Sequence, residues 1–185
     1  MEGYWQRVAE MGKDDSPYRA TFAQIICVAE TDAEAERVYG PHVSYFFNRC
    51  LHVFPGFADA PGYRTIKTIQ AEFLNQLTRP QLGLAASLSG GELIERGYIV
   101  AGSPETVRQR MEELIKTLRV GNIICGIHVG NMPPEKTRYS TGLFAMKVMP
   151  QLKGIWKEYD GDERFWIHPL PQRAAPAPLA SEFAR

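Results

Sequence analysis

The sequence predicts an α/β fold built on a parallel sheet, and one stretch carries most of this prediction. Residues 97–130 read GYIVAGSPETVRQRMEELIKTLRVGNIICGIHVG, an apolar run, an amphipathic helix and a second apolar run. Runs that are apolar throughout indicate strands buried on both faces, and a helix between two of them predicts a parallel pair with a right-handed crossover. The residues that make the apolar stripe of the helix are Val107, Met111, Leu114, Ile115 and Leu118.

The start of this helix has three matching signals. Ser103 stands at the N-cap, where a hydroxyl can accept a hydrogen bond from the free N–H groups of the first turn. Pro104 follows at the first helical position, where its missing N–H has no helical partner to lose. Glu105 adds negative charge at the positive end of the helix dipole. Gly121 is the predicted end of the helix, and the second strand follows it.

Upstream, residues 21–29 (TFAQIICVA) form the earliest predicted strand. Thr31 and Glu34 have the spacing of a capping box, so a helix should start there and extend as far as residue 53, although Gly40-Pro41 breaks its pattern. Residues 3–11 resemble the end of a helix, and from this we expect the domain to begin before Met1.

The remaining elements are shorter or less regular. Residues 39–57 are unusually aromatic, and we interpret them as helix packing, with a substrate pocket or a lid as the alternative. Helices are predicted over 65–77, 88–96 and 135–148, and a turn or two over 152–159. Residues 1–160 form the predicted domain. Residues 161–185, Pro/Ala-rich from 169 onward, form an extended tail that we expect to be disordered.

Composition excludes several classes of protein. The 21 acidic and 21 basic residues balance, whereas a nucleic-acid surface would need a basic excess. No apolar run approaches the roughly 18–20 residues of a membrane span, and the N-terminus lacks the apolar core of a signal peptide. Cys27, Cys50 and Cys125 lie far apart, which predicts neither a zinc site nor a disulfide framework. We therefore expect a cytoplasmic protein without metal, nucleic-acid or membrane partners.

Three βα units follow from this order of elements. They fit either an open doubly wound sheet or part of a (β/α)8 barrel. A complete barrel needs about 250 residues and eight strands, so this chain cannot close one alone.

Several motifs in this order resemble the luciferase-like flavin monooxygenases of the bacterial-luciferase and alkanal-monooxygenase type. The chain has GSPE at residues 102–105, GNMP at 130–133, LFAMKVMP at 143–150 and VAETDAEA at 28–35. Each motif is weak alone, but their order and spacing are specific, and the similarity extends from about residue 20 to about residue 158. It covers only the C-terminal half of the family.

The resemblance implies a partial (β/α)8 TIM barrel, about strands six to eight with their helices. It also implies reduced FMN as a diffusible co-substrate, molecular oxygen, a small organic substrate and a flavin reductase that supplies the reduced flavin. Most of the family's flavin-binding and catalytic side chains belong to the half that this chain lacks. We therefore expect a fragment with little turnover alone, completed by a separate N-terminal half or by a homo-oligomer.

Barrel enzymes place their sites at the carboxyl ends of the strands, which points here to residues 30–31, 102–103 and 128–131. His128 is the candidate catalytic residue, with a hydrogen-bonded rim histidine as the simpler interpretation. The candidate cofactor-binding residues are Gly102, Ser103, Gly130, Asn131 and Arg138. For Ser103 the alternative is an ordinary N-cap, and for Arg138 a solvated surface side chain.

Two other functions remain open at this point. The first is a non-catalytic flavin-binding or structural subunit that pairs its open sheet edges or completes a barrel with a partner, because exposed edges aggregate unless they are covered. The second is a deazaflavin-dependent oxidoreductase of the same superfamily, which would transfer hydride without oxygen.

Overall fold

Three strands and the helices between them form the frame of the chain, whose computed structural model describes residues 1–50, 65–67, 70, 88–161 and 164. The strands are β1 (Thr21–Val28), β2 (Val100–Gly102) and β3 (Asn122–Gly126). The α-helices are α1 (Glu2–Glu10), α2 (Asp32–Tyr45), α3 (Gly90–Glu95), α4 (Pro104–Leu118), α5 (Pro134–Leu143) and α6 (Met149–Leu152). Two π-helical turns, Phe46–Cys50 and Phe144–Val148, extend α2 and α5.

The sheet is parallel, as predicted, and β1 lies in its middle. The strand order is β2-β1-β3, with Val28 opposite Gly102 on one side and Ile25 opposite Gly126 on the other. Consecutive strands of a barrel lie side by side, which would place β2 between β1 and β3. The observed order is instead that of one common doubly wound sheet. The predicted α/β class is confirmed, and the described strands have this open arrangement.

Helices cover both faces of the sheet, because the alternating side chains of the strands enter two separate cores. Cys27, Ala29 and Ala101 pack with α2 and α3 through residues that include Tyr39, Val43 and Leu93. On the opposite face, a second core contains Ile26, Val28, Val100, Val107, Met111, Leu143, Phe144 and Val148, the last five from α4, α5 and its π-helical turn. The two cores make the described chain a three-layer α/β/α arrangement.

The predicted helix starts are confirmed by their capping bonds. The Thr31 hydroxyl accepts the Glu34 N–H at 3.1 Å at the start of α2. The Ser103 hydroxyl accepts the Thr106 N–H at 3.3 Å at the start of α4. At α3, Ser89 forms a complete capping box with Glu92.

The predicted extension of α2 past Gly40-Pro41 is confirmed, whereas the predicted end of α4 at Gly121 lies beyond its observed end. Helix α2 continues through Pro41, whose exposed position lets solvent take the carbonyl that the missing N–H leaves unbonded. Helix α4 ends before Gly121, because Arg119 adopts the left-handed conformation at φ 49°. Gly121 is instead needed for close packing, since a Cβ there would lie 2.4 Å from the Tyr18 ring.

Side-chain contacts hold Arg119 in its left-handed conformation. Its guanidinium lies 5.7–5.9 Å from the ring centroids of Trp5, Trp156 and Tyr159. The same group donates to the Asp15 carboxylate at 2.6 Å and to the Tyr159 hydroxyl at 2.8 Å. These contacts offset the roughly 1–2 kcal/mol that a left-handed residue costs, and they join both ends of the described chain to the end of α4.

The prediction that β3 is buried on both faces is wrong. Its side chains are exposed or half-buried, and Ile124 is 63% exposed, because Ile124 packs into none of the described cores. The Cys125 thiol is half-buried, whereas Cys27 in central β1 is fully buried and burial raises the pKa of its thiol to about 12. Residues 66, 67 and 70 of the predicted helix over 65–77 are helical, and the rest of it, part of the aromatic stretch and nearly all of the tail lie outside the described residues.

Candidate functional site

Parallel strands end at one common edge of the sheet, and ligands of open α/β sheets bind outside that edge where the strand order reverses. The reversal lies between β1 and β3. The last pair of these two strands is Ile25 with Gly126, so β1 continues three residues beyond β3, to Val28. The space beside Val28 is therefore the first place to look for a site.

Two hydroxyl groups fill that space. The Ser140 hydroxyl of α5 accepts the Val28 N–H at 2.8 Å, and the Tyr39 hydroxyl of α2 donates to the Val28 carbonyl at 2.9 Å. A hydrogen bond between Ser140 and Tyr39 joins the two. Burial raises the pKa of Tyr39 to about 12, so the phenol stays neutral at physiological pH. The crevice is closed by the chain itself, and this hydrogen-bond ring is structural.

An exposed cluster of polar side chains at this edge surrounds Glu30, which follows β1. Its carboxylate accepts from the Tyr139 hydroxyl at 3.3 Å and pairs with the Lys147 ammonium at 3.1 Å. Desolvation raises the pKa of Tyr139, and the negative charge of Glu30 adds to the shift. The π-helical turn Phe144–Val148 presents Lys147 to Glu30 while Phe144 and Val148 stay buried. A carboxylate, a phenol and an ammonium group thus lie together at this edge. Such groups can donate and accept protons in catalysis.

The predicted anion site at Gly102 and Ser103 holds a carboxylate of the chain. Asp32 accepts the Ser103 N–H at 2.6 Å and the Thr106 hydroxyl at 2.9 Å, and the Ser103 main-chain bond is the main cause that lowers the pKa of Asp32. Gly102 permits this approach, because a Cβ there would lie 2.6 Å from the carboxylate oxygen. The start of α4 attracts negative charge as the sequence predicts, and Asp32 supplies it.

Gly130 and Asn131 lie in a second polar group, on the side of α2. Asn131 Oδ1 is 2.8 Å from Nδ1 of His42, and the Lys136 ammonium is 3.1 Å from Nε2 of the same ring. Because an ammonium only donates, His42 accepts at Nε2 and donates from Nδ1. Gly130 has φ 58°, and a Cβ there would lie 2.4 Å from the His42 carbonyl oxygen, so α2 packs directly on this loop.

The other two predicted site residues do not join these groups. The His128 ring Nε2 lies 2.9 Å from the Met132 carbonyl, so its observed contact is within its own loop. Arg138 is exposed on α5. No described hydrogen bond or ion pair joins Gly102 and Ser103 to the loop that contains His128, Gly130 and Asn131.

The sequence did not identify Asp32, Tyr139 or Lys147 as site residues. It also did not predict that His42 contacts Asn131 and Lys136. Ser140 left one signal, because it is a polar residue on the buried face of a helix, three and four positions before Leu143 and Phe144. Nothing local in the sequence places Lys147 beside Glu30, since that contact depends on the π-helical turn.

The described residues hold no group of three or more His, Cys, Asp or Glu side chains arranged for a metal ion. Within the same residues, no helix is long and apolar enough to cross a membrane. An open groove of about 520 Å³ lies between α2 and α3, lined by Glu36, Arg37, Ser44 and Ser89 among others, and it contains none of the predicted site residues.

No model of a protein family matches this chain, and a comparison with curated proteins finds no match.

Proposed function

We propose that this chain is the C-terminal part of a luciferase-like, FMN-dependent monooxygenase that oxidises a small organic substrate with molecular oxygen. The proposal comes from four motifs in the family's order, GSPE, GNMP, LFAMKVMP and VAETDAEA. The observation that carries it is the common edge of the parallel sheet, where Glu30, Ser103 and Asn131 follow the three strands. Sites of parallel α/β enzymes lie at that edge.

The complete protein, on this proposal, is a (β/α)8 barrel in which the three units supply strands six to eight. That arrangement requires β2 to lie between β1 and β3, whereas the chain as it stands has β1 in the middle. The described strand order therefore does not support this part of the proposal.

The residues at α4 do not fit a flavin phosphate in the chain as it stands. Asp32 already takes the Ser103 N–H and the Thr106 hydroxyl, and its negative charge would repel a phosphate. We derive no catalytic step through the flavin for this chain, and we expect little or no turnover from it alone. A cytoplasmic location and a flavin reductase as the source of reduced FMN belong to the same proposal.

The occupied helix start favours a second candidate function, a non-catalytic subunit. In that case the chain contributes structure to an assembly, and Asp32 serves only to join α2 to α4. The deazaflavin alternative differs in the cofactor, and quenching of deazaflavin fluorescence rather than that of FMN would identify it.

The proposal is tested by an anaerobic titration of the purified chain with reduced FMN, followed by rapid mixing with oxygen and observation of peroxyflavin absorbance. We expect weak binding by the wild type, no accumulation of peroxyflavin, and tighter binding by Asp32→Ala, which empties the start of α4. Glu113→Ala, an exposed change on the same helix, is the matched control and should bind as the wild type does.

Two results would count against this proposal. Rapid oxidation of a substrate by the isolated chain would contradict its status as a fragment. If neither the wild type nor Asp32→Ala binds reduced FMN, the flavin assignment fails and the structural subunit is the better description.

A further inference from the structure

The two edges of the sheet differ in how they are covered. All three residues of β2 are buried, whereas β3 is an edge strand whose five residues are exposed or half-buried. The Asn122 N–H bonds to the Ala20 carbonyl on the β1 side. Because main-chain groups alternate along a strand, Ile124 and Gly126 also face β1, and the N–H and C=O groups of Ile123 and Cys125 point outward. Among the described residues, no strand pairs with these outward groups.

The sequence of this edge lacks the charged residues and the proline by which edge strands often block such pairing. Residues 121–127 read GNIICGI, with no charged residue and no proline. Ile124 is 63% exposed on the flank of this edge. The chain as a whole has a net formal charge of zero, so two copies do not repel each other through net charge.

The strand is also complementary to itself under a two-fold axis. The midpoint of Asn122–Gly126 is Ile124, so antiparallel pairing with maximal overlap places Ile124 opposite Ile124 of a second copy. Ile123 and Cys125 then lie opposite Cys125 and Ile123 of that copy, and their outward groups can make all four hydrogen bonds. Ile124 occupies a non-hydrogen-bonded pair, where side chains approach most closely.

We propose that β3 is a homodimer interface, at which two copies pair antiparallel across Ile124 and form one continuous six-stranded sheet. The partner is a second copy of this chain, because the edge presents uncharged main-chain groups whose spacing matches its own. This inference rests on the described structure and not on the proposed flavin chemistry, so either can fail without the other.

The first test is the mass of the full chain in solution, measured by light scattering over a range of concentrations. We expect about twice the monomer mass of 20.8 kDa. Ile124→Lys places two positive charges opposite each other and should give a folded monomer, because the side chain it replaces is mostly exposed. Met146→Lys is the matched control, since Met146 is 71% exposed on a different surface, and it should remain a dimer.

The second test is disulfide formation across the axis, in a background where the three native cysteines are alanine. Two cysteines at position 124 should cross-link between copies, since a non-hydrogen-bonded pair has a Cα separation of about 4.5 Å. Ala23→Cys is the control, because Ala23 is exposed beside Ile124 but one strand further from the axis. It should not cross-link.

A wild-type chain that is monomeric at every concentration would overturn the proposal. So would a dimer that survives Ile124→Lys, or one that cross-links as readily from position 23 as from position 124.

Discussion

Val28 shows how a single residue at the end of a strand fixes the positions of two helices. Its N–H and C=O face the side where β3 has ended, and Ser140 from α5 and Tyr39 from α2 replace the missing strand. Because all three groups are buried, removing one partner leaves a polar atom that water cannot reach. These buried hydrogen bonds of Ser140 and Tyr39 to Val28 should therefore contribute more to stability than an exposed hydrogen bond does.

The variant Ser140→Ala tests this contribution. It leaves the Val28 N–H without an acceptor, and we expect the free energy of unfolding to fall by about 1–3 kcal/mol in urea denaturation. Thr141→Ala, the neighbouring change, removes a half-buried hydroxyl that bonds only the Thr137 carbonyl of its own helix, and should change stability by less than about 0.5 kcal/mol. Equal changes in the free energy of unfolding would contradict the larger contribution expected of the buried hydrogen bond between Ser140 and Val28.

Asp32 should give the stability of the chain a measurable pH dependence. Its folded pKa is lowered below the usual value near 3.8, so its contribution is fully present above that value and is lost as pH falls through the folded pKa. Asp32→Ala should lower the unfolding free energy by about 1 kcal/mol at pH 7. The difference from the wild type should shrink below about pH 4. A difference that is constant down to pH 2 would exclude the ionised carboxylate as its cause.

At the scale of elements, α2 and α3 are joined by a contact between two glycines. A Cβ on Gly90 would lie 2.4 Å from the Gly40 Cα, main chain against main chain, whereas a Cβ on Gly91 would meet only the flexible end of the Glu36 side chain. Overpacking against main chain forces the helices apart, while a surface carboxylate can rotate away.

We therefore expect Gly90→Ala to destabilise the chain by about 1–3 kcal/mol and Gly91→Ala to have a much smaller effect. Thermal unfolding followed by circular dichroism would measure both changes. The pair is matched, because each replaces a glycine in the first turn of α3. If Gly91→Ala is the more damaging of the two, the close approach of α2 and α3 is wrong.

The elements that the sequence predicted well are those whose signals are local. Thr31, Ser89 and Ser103 cap their helices because capping depends on residues within one turn. The end of α4 at Arg119 and the exposure of Ile124 were not predictable in this way. Both depend on packing between distant elements, and an apolar run such as NIICG has the same sequence on an edge as in the centre of a sheet.

The candidate site also has features that depend on local sequence and others that depend on contacts between distant residues. The carboxyl edge follows from strand direction alone, and there Glu30 and Ser103 follow β1 and β2. Which groups meet was not predictable, because Lys147 reaches Glu30 across 117 positions and Asp32 reaches Ser103 across 71. The helix start at Ser103 allowed either a bound anion or an ordinary N-cap, but it could not indicate that Asp32 would provide a carboxylate there.

For the whole molecule, the central claim is the strand order β2-β1-β3. It places β1 in the middle, opens the edge of β3 and distinguishes the doubly wound arrangement from consecutive strands of a barrel. The proposed dimer needs this order, which leaves the outer edge of β3 open, whereas the proposed barrel needs β2 between β1 and β3.

The measurement that tests this order most directly is a disulfide between Thr21→Cys and Asn122→Cys in a background without native cysteines. The two residues are exposed register partners on adjacent strands, within the range of Cα separations that a disulfide spans. We predict rapid intramolecular cross-linking of the isolated chain, with the mass of a monomer under denaturing conditions and a linked peptide pair after digestion. If the pair does not cross-link under conditions where both thiols react with a maleimide, β1 and β3 are not neighbours and the strand order is contradicted.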